Sequence, residues 1–121
     1  MEHGTGVDLW FGGPGTLAEE RHCLDGDRHG YERWWNSDNR TIWLEGHFWH
    51  GEEHGIFREW SARGRLRRGY PRYFVAGQQV DRRRYERARR VDPSLPPPLA
   101  NENAPLRPLP AMPQLPREGE E

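Results

Sequence analysis

The sequence predicts a mainly β fold: stacked antiparallel β-hairpins in a meander, one C-terminal capping helix and a disordered Pro-rich tail. Three observations carry this. Displacing the chain by 25 residues places Gly26 on Gly51, His29 on His54, Gly30 on Gly55, Arg33 on Arg58, Trp35 on Trp60 and Arg40 on Arg65. All 14 aromatic residues lie between Trp10 and Tyr85, so the apolar area for a core is confined to that stretch. From Pro93 to Glu121 there are nine Pro and no aromatic residue, a composition that favours extended backbone over a packed core.

The elements follow in order. Residues 1–6 form a flexible N-terminus, without the basic segment and apolar run of a signal peptide. Residues 7–80 hold the repeat sheet. Upstream, the same displacement sets Trp10 on Trp35, Thr16 on Thr41, Glu20 on Glu45 and His22 on His47, while Gly77 follows Gly51 by 26. A repeat of this length that cannot bury its own apolar face predicts stacking of unit on unit. Within a unit, Arg40–Leu44 and His47–Trp49 are rich in β-branched and aromatic residues, which suit a pleated surface. Asn36–Asn39, Ser61–Gly64 and Gly51–Gly55 are turn clusters. Residues 81–92 read as a helix with Asp81 as N-cap, a Val80–Tyr85 staple, an apolar stripe on Tyr85, Ala88 and Val91, and a stop at Asp92-Pro93. It is expected to cap the open end of the sheet. Residues 93–121 form the Pro-rich tail, of which 94–121 are removable with little loss of fold unless Leu95, Leu99 or Leu106 docks locally.

The net charge of −1 conceals an uneven layout: −7 over residues 1–57, +9 over 58–90 and −3 over 91–121, with Arg the only basic side chain. Such asymmetry points to an acidic partner or to matching between the halves. Cys23 is the single cysteine, which excludes an intrachain disulfide and predicts a small buried thiol in a reducing, cytoplasmic setting. No segment is long and apolar enough for a membrane span.

The Gly-x-x-His-Gly segments at Gly26–Gly30 and Gly51–Gly55, each followed by Trp35 or Trp60, with Gly64-x-Leu66 after the second, resemble the variant MORN repeat, a hairpin unit found in arrays. Gly69–Val80, the Arg helix and Asp92–Pro96 resemble a C-terminal extension of some bacterial MORN-like proteins. The resemblance covers roughly residues 10–96, with Asn39 in place of a turn Gly and no His-Gly in the first unit. It implies a hairpin-stack fold and an antitoxin- or immunity-type role, with a toxin as protein partner.

Chemistry is sparse by residue type. His47, His50 and His54 have the look of a metal set, but strand alternation turns His47 and His50 to opposite sides, so no metal or other cofactor is expected. The neighbouring carboxylates Glu19-Glu20 and Glu52-Glu53 read as solvated surface rather than an acid–base pair. Ser37, Ser61 and Ser94 lie in turns and tail, none in a nucleophile elbow, and no enzyme is predicted. The favoured function is a non-enzymatic protein-binding module using Trp43, Trp49, Phe57 and Trp60 as a recognition face, with Arg83, Arg87 and Arg90 on one helix face contacting an acidic protein surface. The alternative is an Arg-rich module for nucleic acid or anionic lipid, the acidic half (Glu45, Glu52, Glu53) opposing it by neutralising the basic face. Arg107–Pro113 also matches the Arg-x-x-Pro-x-x-Pro form taken by SH3-type grooves.

Overall fold

A computed structural model describes residues 5–110. Eight antiparallel strands form one meander: β1 (Gly6–Gly13), β2 (Thr16–Leu24), β3 (Asp27–Trp35), β4 (Ile42–Trp49), β5 (Glu52–Glu53), β6 (Gly55–Glu59), β7 (Arg72–Val75) and β8 (Gln78–Val80). Their order in the sheet is the order of the chain, with β5 and β6 both on β4. Helix α1 (Arg82–Val91) and a 3-10 turn at Ala100–Asn103 follow. The mainly β meander with one helix is the fold read from the sequence.

The repeat is visible in the turns. Asp25-Gly26, His50-Gly51 and Ala76-Gly77 each have positive φ at both residues, the pairing that two-residue hairpin loops require. Each such turn is tied to the preceding unit: Thr5 Oγ1 accepts the N–H of Asp25 at 3.3 Å, His29 Nδ1 that of His50 at 3.0 Å, and His54 Nδ1 that of Ala76 at 2.9 Å. The dipeptides His29-Gly30 and His54-Gly55 sit at irregularities in the ladder, and Gly30 and Gly55 take φ of 112° and 145°. A Cβ on Gly55 would stand 2.6 Å from the Cβ of His47, so the glycine is what lets that buried imidazole in.

Register corrects one alignment. Leu9 pairs with Glu20 as Arg33 pairs with Glu45, and Phe11 pairs with Leu17 as Trp35 pairs with Ile42. β1 therefore runs one residue out of step with the 25-residue offset: Phe11, not Trp10, occupies the Trp35 position, and Trp10 answers to Trp34.

The two faces of the sheet differ. On one, Leu17, Trp35, Ile42 and Trp60 form a buried cluster with Leu9 and Leu66 at its margin. Further along the same face, Ile56, Tyr85 and Leu95 form a second cluster with Tyr73, Val75, Val80 and Ala88. Ile56, Tyr73 and Val80 are register partners in a row, and Tyr85 lies on it. The helix thus closes the β6–β8 end by covering a face. Asp81 caps it by accepting from Arg84 N at 2.8 Å, while Val91 projects into solvent and adds nothing to the apolar stripe.

Beyond the helix the chain departs from the tail its composition suggests. Residues 111–121 lie outside the described residues, but residues 92–107 turn back over the covered face as a strap. Leu95 is buried, the Tyr85 hydroxyl donates to Pro96 O at 2.6 Å, Trp60 Nε1 donates to Asn103 O at 2.8 Å, and Leu106 bridges Thr41. Leu99 and Leu106 stay exposed. Proline lacks an N–H to satisfy, so such a segment crosses a packed face at low polar cost. Its anchors are one leucine, backbone carbonyls and a few polar side chains, which an aromatic count does not register.

Candidate functional site

Beneath the strap runs a row of charges. Glu20, Arg33, Glu45 and Arg58 are direct register partners on β2, β3, β4 and β6. They alternate in sign because the repeat supplies Glu at 20 and 45 and Arg at 33 and 58. Arg33 reaches Glu20 at 3.2 Å and Glu45 at 2.7 Å, and Arg58 reaches Glu45 at 3.2 Å and Glu102 at 3.4 Å. Trp35 Nε1 donates to Glu20 at 3.1 Å and His22 Nε2 lies 2.7 Å from the same carboxylate. Arg107 arrives from the strap and meets both oxygens of Glu45. Burial alone would raise the carboxyl of Glu45, but Arg107 and Arg33 outweigh it and hold it below its ordinary 4.5. Burial likewise opposes Arg33, and Glu45 and Glu20 reverse the effect and raise it.

This row overturns one surface assignment. Glu20 is buried in the row and Glu19, on the opposite side of β2, is buried with Arg21 at 2.7 Å, whereas Glu52 and Glu53 are exposed at a turn as expected. It also removes the charge match anticipated for the helix: Glu45 is satisfied by Arg33, Arg58 and Arg107, and none of these belongs to α1. Arg83, Arg87 and Arg90 are exposed, and among the described residues none joins an ion pair; Arg82 pairs with Glu86 at 3.1 Å.

His54, Asp92 and Ser94 come together where the strap begins. His54 Nε2 lies 2.9 Å from Ser94 Oγ and 3.4 Å from Asp92, and Ser94 Oγ donates to Asp92 at 2.5 Å. The residue types are those of a nucleophile and its base, but the proton is on the wrong atom. His54 Nδ1 accepts from Ala76 N–H, so in the neutral ring Nε2 carries the hydrogen and has no lone pair for the serine. The trio is a clasp. His47 donates Nδ1–H to His54 O at 2.6 Å and is buried, while His50 is exposed on the turn, so the three histidines do not converge on one point. Burial lowers the pKa of His47.

The predicted recognition residues divide among three places. Trp60 is 1% exposed in the covered core, with Arg107 5.5 Å over its ring, and anchors the strap. Trp49, 36% exposed, stacks on His29 at 3.8 Å beside the clasp. Trp43 and Phe57 belong to the other face. Trp43 is the extra residue of a bulge opposite Trp34/Trp35, is 38% exposed, and has its ring 5.9 Å from Trp34. Phe57 continues a file with Phe48 at 5.4 Å and Phe74 at 4.9 Å, lying over Gly46, where a Cβ would come within 2.5 Å of the ring. Trp10 joins this face with Arg21 stacked at 5.0 Å. Sequence reasoning missed Trp10, Trp34 and Phe74 as neighbours of Trp43 and Phe57. Bulge positions decide which way Trp43 turns, and the pattern of residue types does not mark them.

The SH3-type motif has its cation withheld. Arg107, the residue that would meet an acidic groove, is locked on Glu45 and also donates to Ala104 O, Leu106 O and Glu102 O. Its residues beyond 110 lie outside the described residues.

Comparison of the chain with protein-family models, with curated proteins and with solved structures finds no match.

Proposed function

We propose that the chain is a non-enzymatic protein-binding module that receives its partner on the open face of the sheet. One observation carries the reading. The strap closes one face, and the opposite face presents the aromatic surface of Trp10, Trp34, Trp43 and Phe57. Rigid aromatic side chains held on a sheet give contact area at low conformational cost, the usual make-up of an interface centre. The resemblance to antitoxin- and immunity-type repeat proteins supports a toxin as the partner class. The test is capture of a partner from native lysate by the wild type and by the double variant Trp10→Ala/Trp43→Ala, at the two exposed rings of that face. The double variant should lose the partner with its melting temperature little changed. Equal capture by both would reject the open face.

A second reading is favoured by the solvent-facing Arg83, Arg87 and Arg90, whose charge the acidic half does not neutralise. An anion-binding helix would hold short DNA or RNA with an affinity that falls steeply with salt, about one unit of logarithmic slope per phosphate contacted. Fluorescence anisotropy on the wild type and on Arg83→Ala/Arg87→Ala/Arg90→Ala separates the readings. Submicromolar binding abolished in the triple variant would put nucleic acid first.

A further inference from the structure

β1 is the outer strand of the sheet, and among the described residues its far edge pairs with nothing. It is eight residues long, contains no Pro and a single charge, Asp8, and leaves Val7 and Phe11 47% and 43% exposed. Natural sheets usually guard such an edge with charge, proline or brevity. The opposite edge does so by brevity, since β8 has three residues.

Register shows what the free edge of β1 suits. β1 stands to β2 as β3 stands to β4: Val7 occupies the place of Tyr31, Leu9 that of Arg33, and Phe11 that of Trp35. From the strand before it, that place receives a buried carboxylate, Glu20 opposite Arg33 and, in the next unit, Glu45 opposite Arg58. In β1 the cation is replaced by Leu9, which packs on the Leu17–Trp35 core. A further strand of the repeat type would set its carboxylate against leucine with no cation to meet it. The occupant that fits is a strand with an apolar side chain there, alternating in step with Val7, Leu9 and Phe11. β1 itself is such a strand.

We propose that β1 pairs antiparallel with β1 of a second copy of this chain, about a two-fold axis through Leu9. Leu9 then meets Leu9, Val7 of each copy meets Phe11 of the other, and the two covered faces join across one continuous sheet. The contact is isologous and closes at two copies. Head-to-tail growth through β8 would match eight residues to three and would bring Gln78 against the apolar row of β1.

The experiment is the mass of the full chain in solution, by light scattering or sedimentation across a concentration series. The wild type is expected to approach twice the 14.3 kDa chain mass as concentration rises. Two double variants test the register at exposed positions that the monomer does not need. Val7→Lys/Phe11→Lys sets like charges against each other at both contacts and should give a monomer. Val7→Lys/Phe11→Glu sets opposite charges there and should retain the dimer. Circular dichroism melts that agree for the two doubles show that both are folded. A wild type that stays monomeric at its highest soluble concentration overturns the proposal, as does growth beyond two copies. A dimer that both doubles break alike, or that neither breaks, overturns it as well.

Discussion

Arg107 grips Glu45 across 62 residues of sequence, Nε on one carboxylate oxygen and Nη2 on the other, each at 2.9 Å. The carboxylate is fully buried and the guanidinium nearly so, so this contact combines the strength of a two-point ion pair with the cost of breaking it in a dry place. Arg107→Ala should lower stability by about 2–4 kcal/mol, less than for an isolated buried pair because Arg33 and Arg58 remain on Glu45. Deleting residues 94–121 should be worse, since Leu95 and Asn103 leave with Arg107. Thermal melts of the two variants against the wild type check both. A deletion variant melting with the wild type would mean that the strap contributes nothing.

Trp35 and Trp60 are equivalent in the repeat and both are buried, so replacing either by Ala should cost on the order of 3–5 kcal/mol. They differ in consequence. Trp35 donates its indole hydrogen to Glu20 within the sheet, whereas Trp60 donates to Asn103 in the strap. Limited proteolysis should therefore cut residues 94–107 faster in Trp60→Ala than in Trp35→Ala, at matched stability.

Gly55→Ala should destabilise by about 1–3 kcal/mol, because a non-glycine residue is strained at a φ of 145° and its Cβ would collide with His47. Gly13→Ala, in open space, serves as the control and should melt within a degree or two of the wild type.

Acid should act in two stages. The folded pKa of His47 lies below its ordinary 6.5, so as pH falls through that value the unfolded chain takes up a proton that the folded one refuses, and stability drops. Glu20 and Glu45 lie below their ordinary 4.5; their contribution is complete above that value and is lost as pH falls through it toward the folded pKa. The melting temperature should decline gently from near neutrality and steeply below the carboxylate range. His47→Gln should reduce the first decline, to which His29, lowered by burial and by His50, also contributes, and leave the second. Melts recorded across the pH series decide it.

Much of the fold was legible because the repeat wrote it twice. Gly26 and Gly51, Trp35 and Trp60, and Glu20 and Glu45 each recur at one spacing, and each pair plays one structural part. Less could be read where a single residue decides. Glu20 looks like surface from its neighbours alone, and only the strand register reveals Arg33 across from it. The strap is illegible for a related reason. Proline-rich sequence signals poor self-burial, but a segment that brings one arginine to a carboxylate prepared elsewhere needs no core of its own. Of the aromatic residues assigned to a candidate face, Trp43 and Phe57 lie on the open side of the sheet, while Trp60 sits in the covered core, because core and rim tryptophans share a composition.

His29 and His54 each reach forward to the turn of the following unit. Each unit thus finishes the loop of its successor, and these turn contacts link neighbouring units. Twenty-five residues comprise two strands, so an added copy preserves chain direction as well as the alternation of Glu and Arg. Repeating residues 26–50 in tandem should lengthen the sheet by one hairpin without disturbing either end, because the strap would still find a Glu45-bearing strand beside β6. The architecture is extensible by cassette, and gene duplication alone could tune its span.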